Sequence, residues 1–251
     1  MVLALGMSVF ADTKGDEIAR KYFDLKKADD TKAPGSMMTI IDNAGMKKIR
    51  KFDVFYQDST VGKNAYMVFL EPADVSGTKF LTLGRHGGDS DQRLYLPALK
   101  KTRKISSSGK DGEFVNSDIW YYDLEERYFE DNTYTLLSVD ETLTDKVFEG
   151  MKFNKIEMKP VRSDCPYAKT IAWVNEENNF IYRMDAFDKN GGSLLKTITF
   201  VKVENIKGVL VPIQMVVTNH KKGSKTLMQL NNVEVNIGLK DGIFSEKNLE
   251  Q

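Results

Sequence analysis

From Ser36 onward, apolar and polar residues alternate with a period of two. Short turn signals separate the alternating stretches: Asn43-Ala44-Gly45, Asn190-Gly191-Gly192, Lys207-Gly208 and Lys221-Lys222-Gly223. A period of two sends successive side chains to opposite faces, the mark of a half-buried strand. Turns this short join antiparallel neighbours, because a parallel pair needs a crossover of a dozen or more residues. The spacing predicts strands over 36–42, 46–57, 64–71, 78–85, 92–97, 132–139, 151–160, 167–175, 179–188, 193–204, 208–219 and 225–237. Hairpins in such a series lead to a mainly β fold, a single antiparallel sheet curled into an unclosed, half β-barrel.

Two stretches depart from this pattern. Residues 14–27 read as a helix, with Ile18, Tyr22 and Leu25 on one face and Thr13 and Asp16 resembling a capping box; Pro34 and Gly35 end it. Residues 97–130 form a long segment that includes Ser106-Ser107-Ser108-Gly109 and then Ile119-Trp120-Tyr121-Tyr122-Asp123-Leu124. Ser117 or Asp118 would cap a short aromatic helix there, a plug or cover for the mouth of the half-barrel. Strand 208–217 is apolar on both faces and needs cover on both. On 46–56, Arg50 shares its face with Phe52, Val54 and Tyr56.

At the amino terminus, residues 2–10 are an apolar run ending at Ala11 before Asp12. A bilayer-spanning helix needs about 20 residues, so this run is too short to span. Val9-Phe10-Ala11 resembles a signal-peptidase site, although the basic stretch of a signal is missing. Residues 1–11 are therefore expected to be the end of an export signal whose start lies upstream of Met1. Residues 12–251 are expected to form a single mature domain.

The remaining chemistry is sparse. The 36 basic and 36 acidic side chains balance, which excludes a nucleic-acid partner bound through bulk positive charge. Cys165 is alone, and His86 and His220 are the only histidines, so neither a disulfide framework nor a His-rich metal site is expected. Gly84-Arg85-His86-Gly87-Gly88-Asp89 reads as a hairpin turn. No nucleophile elbow, Walker loop or His-Glu-x-x-His is present. No cofactor and no enzymatic activity are expected; a lipid hydrolase would need an activated nucleophile that the sequence does not offer. Lys100, Lys101, Arg103 and Lys104 place four cations in five residues. They are a candidate docking patch for an anionic surface, or a solvated edge that discourages sheet-to-sheet pairing.

Several segments resemble a known family. Glu71-Pro72-Ala73-Asp74-Val75-Ser76-Gly77-Thr78-Lys79-Phe80-Leu81 is similar to its Pro-x-Asp-Val-x-Gly-Thr-x-Phe-Leu element, and Leu94-Tyr95-Leu96-Pro97-Ala98-Leu99-Lys100 to its Tyr-Leu-Pro-Ala-Leu-Lys signature. Ser117-Asp118 and Tyr122-Asp123-Leu124 match the segment that follows, with Asn116 where the family often has Gly. Thr218-Asn219-His220 and the closing Phe244-Ser245-Glu246-Lys247-Asn248-Leu249-Glu250 also fit. The chain thus resembles the LolA-like outer-membrane lipoprotein-sorting family over about residues 14–251. The resemblance implies an unclosed β-barrel in the periplasm, soluble, with helices over its concave side. It implies a carrier for the acyl chain of a lipoprotein or lipid, working beside an inner-membrane exporter of the resistance-nodulation-division (RND/MMPL) type.

On that reading the cavity is expected to use Phe52, Val54, Tyr66, Val68, Phe80, Leu94, Leu96, Trp173 and Phe200. Trp120, Tyr121 and Leu124 form the movable cover, and Met67, Met184, Met215 and Met228 adapt to different chains. The carrier is expected to be a monomer. The alternative is a non-carrier adaptor or sensor that docks on an inner-membrane transporter through Lys100–Lys104.

Overall fold

The computed structural model of the chain describes residues 13–250. The expected export signal, 1–11, lies outside the described residues. The period-two stretches become β1 (Asp30–Ile41), β2 (Lys47–Gln57), β3 (Asn64–Glu71), β4 (Lys79–Leu83), β5 (Asp91–Leu96), β6 (Lys101–Ile105), β7 (Asn132–Glu141), β8 (Phe153–Pro160), β9 (Tyr167–Asn175), β10 (Ile181–Asp188), β11 (Leu194–Ile206), β12 (Val209–Asn219), β13 (Ser224–Gln229) and β14 (Glu234–Val235). Helices α1 (Thr13–Phe23) and α2 (Glu246–Glu250) flank them. All fourteen strands belong to one sheet, ordered β6-β5-β4-β3-β2-β1-β13-β12-β11-β10-β9-β8-β7, with β14 added beside β1. Every pairing is antiparallel, as the short turns predict, and the sheet is not closed.

This order has a topological consequence. The chain meanders outward from β1 to one edge at β6, jumps to the opposite edge at β7, and meanders back to β13, which pairs with β1. Consecutive strands β6 and β7 are thus the two rims. Residues 106–131, which join them, must cross the full width of the sheet. They do so as a series of 3-10 turns: 107–109, 114–116, 121–124 and 129–131.

The sheet is curled around this crossing segment. Tyr121 touches Phe80 of β4 at 5.7 Å between ring centroids, while Asp118, three residues earlier, bonds to Ser224 and Thr226 of β13. Strands well separated in the sheet therefore meet one short peptide, which only a bent sheet allows. Phe114, Ile119 and Tyr121 are 0–8% exposed and pack with Phe52, Val54, Met67, Phe69, Phe80, Leu94 and, from the other half, Ile198, Val217 and Met228. Helix α1 covers the far half of the same inner face, burying Ala19 against Tyr134, Ile156, Ala172 and Val174. Its first turn lies hard against the edge strand: a Cβ on Gly15 would stand 2.9 Å from the backbone of Tyr134 and Leu136. That close approach blunts the β7 rim, a common protection for an exposed edge.

The outer face of β2–β5 is covered by the carboxyl-terminal segment. Asp30 accepts hydrogen bonds from the backbone N–H groups of Ile237, Gly238 and Leu239 at 2.8–2.9 Å. Beyond this clamp, Leu239, Ile243, Phe244 and Leu249 pack on Phe55, Tyr66, Val68, Leu81, Leu83 and Tyr95.

Several boundaries differ from the sequence expectation. The helix ends at Phe23 instead of 27, and β1 begins at Asp30, not Ser36. Pro34 and Gly35 form a bulge inside β1 instead of a helix stop, with a register shift between Ala33 and Ser36. Part of the long segment, Lys101–Ile105, is the edge strand β6. The stretch expected as one strand over 225–237 splits into β13 and β14. The short helix expected after Ser117 is the single turn Tyr121–Leu124, whose start is held by Asp123 accepting from the Trp120 N–H at 2.8 Å. Ser117 and Asp118 bond elsewhere and do not cap it.

Candidate functional site

The inner face of the sheet and the segment across it form the candidate site. Arg50 is 5% exposed, on the face it shares with Phe52 and Val54, and donates to the Val115 carbonyl. Burial pulls its guanidinium pKa below the usual value, with Asp74 opposing that shift. Val115 has φ 46° and ψ 44°, and Asn116 follows at φ 58°. A β-branched residue in the left-handed region is strained by about 1–3 kcal/mol and persists only when its surroundings fix it. The Arg50 bond is one such restraint.

Asp118, 3% exposed, is the second anchor. It accepts from the Thr226 hydroxyl at 2.8 Å and from Ser224, and its own N–H donates to Thr226 Oγ1 at 2.9 Å. Gln92 holds the Tyr121 carbonyl at 2.9 Å. A third anchor lies toward β9–β11. Asp123 accepts from Tyr167 Oη at 2.6 Å and from the fully buried Lys196 Nζ at 3.1 Å. Trp120 stacks flat on Tyr167, with centroids 5.3 Å apart, and Lys196 Nζ stands 3.6 Å above its ring. Burial depresses the Lys196 pKa, and Asp123 opposes the depression. Burial, then Asp123, pushes the Tyr167 phenol well above its usual range.

The structure separates the expected cavity residues into two faces. Phe52, Val54, Phe80 and Leu94 are buried on the inner face beneath the crossing segment, and Leu96 is half-buried with them. Phe200 is half-buried and belongs to both the central and the α1-side clusters. Tyr66 and Val68 lie on the outer face under the carboxyl-terminal segment. Trp173, flanked by Lys155 and Arg183 at 5.1 and 4.9 Å, alternates with Ala172 and Val174 along β9 but is buried in the cluster of Phe148, Phe153, Phe180 and Tyr182 against which Tyr22 and Phe200 pack. Of the expected cover, Tyr121 is in the central cluster and Leu124 packs on it, whereas Trp120 sits apart on Tyr167 and Lys196. In the basic run, Lys104 pairs with Asp91 at 3.6 Å. Lys100, Lys101 and Arg103 are exposed and make no ion pair among the described residues.

The inner face is sealed unevenly. Under Phe114 and Ile119 it is close-packed. A row of apolar side chains packed on the central cluster stays half-buried: Tyr56, Met184, Phe200, Met215, Leu230 and Val233. Met184 and Phe200 also touch the clusters that α1 covers, so the row spans from one cluster to the other. The clefts of about 310 Å³ over Asp118 and about 920 Å³ beside Trp120 flank the crossing segment instead. The larger one is rimmed by Lys189, Lys221, Lys222 and Asp188, a poor lining for an apolar guest.

Sequence reasoning missed Arg50, the Asp118 and Asp123 anchors, and Tyr22, Tyr56, Leu230 and Val233. One signal was available. Lys196 alternates with Leu194, Ile198 and Phe200, and a lysine on an apolar face needs a buried carboxylate partner.

This architecture, an unclosed antiparallel sheet bent round a crossing segment, is that of the LolA-like lipoprotein-sorting proteins. A protein domain described as an outer membrane lipoprotein-sorting protein, from Vibrio parahaemolyticus, is 28% identical, covers 96% of this chain and 100% of its own, and superposes with a TM-score of 0.86. A DUF1329 family protein from Desulfovibrio piger is 26% identical, covering 95% and 99% of the two chains at TM-score 0.88. A LolA superfamily protein from Nitrosomonas europaea shares the fold at 20% identity, 93% and 98% coverage and TM-score 0.70. Residues 62–251 match the model of a family described as "Uncharacterized protein", and the chain belongs to that family. No curated protein matches the sequence.

Proposed function

We propose that this chain is a periplasmic carrier that shelters the acyl chain of a lipoprotein or lipid on the inner face of its sheet and passes it toward the outer membrane. The fold supports a carrier-type role in general. The observation that carries the finer reading is the half-buried row Tyr56, Met184, Phe200, Met215, Leu230 and Val233, apolar surface that the protein's own side chains leave partly uncovered. Each methylene laid on such a surface contributes roughly 0.8 kcal/mol. A full 16-carbon chain could gain on the order of 10 kcal/mol before the costs of association, and no covalent step is needed. The row's methionines suit guests of different shape. The crossing segment is the movable part, held by Arg50, Asp118 and Asp123. The mature domain, 12–251, works as a monomer without enzymatic activity. Its exporter contact falls to the exposed cations of the β6 rim.

The test is direct. Delipidated protein takes up a fluorescent acyl probe saturably, and Met184→Trp with Met215→Trp, which fill the row, reduce uptake about tenfold while thermal unfolding stays cooperative. Delipidated protein that binds no acyl probe overturns the proposal.

A further inference from the structure

The wider cleft, about 920 Å³, lies at one end of the sheet, where the crossing segment meets the β8–β9, β10–β11 and β12–β13 turns. Small-molecule sites usually measure about 300–1,000 Å³. Its deeper lining is apolar: half-buried Trp120 with Cys165, Pro166 and Leu195. Its rim is polar and nearly balanced in charge, four carboxylates against three ammonium groups.

The surroundings of Trp120 show which of its faces is open. Tyr167 lies parallel to the indole, at 9° and 5.3 Å between centroids. Lys196 Nζ stands 3.6 Å from the Trp120 centroid and 5.8 Å from that of Tyr167. On opposite faces of the indole, ammonium and phenol ring would be two contact layers apart, roughly 7 Å. The shorter distance puts both on one face. That face is sealed, since Lys196 is fully buried and Tyr167 is 5% exposed. The exposed part of Trp120 is therefore its other face and its edge, toward the cleft it lines. No second ring or cation lies against the indole, and its ring N–H makes no hydrogen bond, among the described residues. Asp123 holds the Trp120 backbone N–H together with Tyr167 and Lys196, so the platform is ordered before any guest arrives.

The rim decides what the platform fits. An acyl chain laid there would strip water from charged groups and give them nothing in return. A nucleotide would stack its base but bring its phosphate to Asp111, Asp164 and Asp188. Of the three lysines, Lys222 is engaged by Glu113, and Lys189 by the Ser163 and Cys165 carbonyls. Only Lys221 is left to meet an anion. A neutral pyranose suits both parts of the cleft. One side of its ring is a face of C–H groups, which the negative π face of an indole attracts. Its hydroxyls each donate and accept, matching a mixed rim of carboxylate, ammonium and amide. Asp111, Lys221 and the Asn190 side chain make no bond to the other described residues and stand exposed at that rim.

We propose that this cleft binds a neutral saccharide, with one pyranose ring on the open face of Trp120 and its hydroxyls on Asp111, Asn190 and Lys221. The site is separate from the half-buried row and does not depend on the carrier reading. Saturation-transfer NMR on the delipidated full chain tests it with maltotriose, mannotriose and chitotriose, and with adenosine monophosphate as the stacking control. At least one trisaccharide binds saturably, with the strongest transfer to the C–H protons of one pyranose face, and the monophosphate does not displace it. Asp111→Ala combined with Lys221→Ala weakens that binding about tenfold, as the loss of hydrogen bonds to charged groups requires, and leaves the unfolding midpoint and acyl-probe uptake unchanged. Trp120→Leu abolishes saccharide binding, and Trp120→Phe retains part of it. The proposal is overturned if no trisaccharide binds, if the monophosphate binds as tightly, or if the Asp111→Ala, Lys221→Ala variant binds saccharide undiminished. Displacement of the saccharide by hexadecanoic acid overturns it too, because the cleft would then belong to the acyl site. Acyl-probe uptake without saccharide binding leaves the carrier reading standing.

Discussion

The Asp123–Lys196 pair allows an asymmetric prediction. Lys196 is fully buried and its partner's side chain is 8% exposed. Removing one member of a buried ion pair leaves an uncompensated charge and typically destabilises by about 3–5 kcal/mol. The two deletions leave different residues behind. In Lys196→Met, Asp123 still accepts from the Trp120 N–H at 2.8 Å and from Tyr167 Oη at 2.6 Å. The new thioether stays against the Trp120 ring, a favourable contact. The loss is then about 1–3 kcal/mol. In Asp123→Ala, the Lys196 ammonium keeps only the ring face of Trp120, and the Tyr167 and Trp120 donors lose their acceptor. The loss is about 3–5 kcal/mol, some 10 °C in melting temperature for a chain of this size. The pH dependence separates the two further. The folded-state pKa of Lys196 lies below 10.5. Between that lowered value and 10.5 the unfolded chain holds the extra proton, so stability rises with pH there. Without Asp123 the folded-state pKa drops further, so Asp123→Ala regains part of its deficit as pH climbs toward 10.5, and Lys196→Met does not. Urea unfolding followed by the emission of Trp120 and Trp173 measures both. Equal losses with no difference in pH response would refute the reasoning.

The Asp30 clamp gives an acid-side prediction. Burial raises its carboxyl pKa, but the three backbone N–H groups and Lys207 outweigh it and hold it below 3.8, so its contribution is present above 3.8 and fades as pH falls through the lowered value. Asp30→Asn flattens the acid limb of a stability-against-pH curve and speeds hydrogen exchange over 237–249; an unchanged acid limb counts against the clamp. At the β6 rim, reversing Lys100, Lys101 and Arg103 to Glu abolishes capture of the proposed membrane exporter and leaves acyl-probe uptake intact, measured side by side. Loss of uptake in that variant would place the cations in cargo binding.

Alternation and turn chemistry were enough for most of the sheet. Strands 64–71 and 167–175 read from the sequence have the boundaries of β3 and β9, because clean period-two patterns bounded by turn residues leave little freedom. The β6 strand was hidden because Lys101–Ile105 is a short, charged rim with one paired side, so it lacks the apolar face that marks a strand. The face on which Tyr66 and Val68 stand was hidden for a different reason. Alternation shows which residues on one strand share a face, but not which face matches that of the next strand. Registers decide that: Val54 opposes Met67, and Met67 opposes Phe80, so Met67 and Phe69, not Tyr66 and Val68, line the inside. Long-range polar partners such as Asp118 with Thr226 leave no local trace at all.

The seam between β1 and β13 has a consequence for how the molecule is made. Met37 pairs with Gln229, so each meander consists of near-neighbour hairpins while the join between them spans most of the chain. Local hairpins form early, and distant pairings wait on chain closure. Emerging from a ribosome or a translocation channel, β1 presents a naked flank until the last hairpin arrives. The same meander-then-zip order that makes the finished sheet one continuous surface leaves a newborn chain sticky along a single line, and a holdase that shields Met37–Ile41 would act where protection matters most.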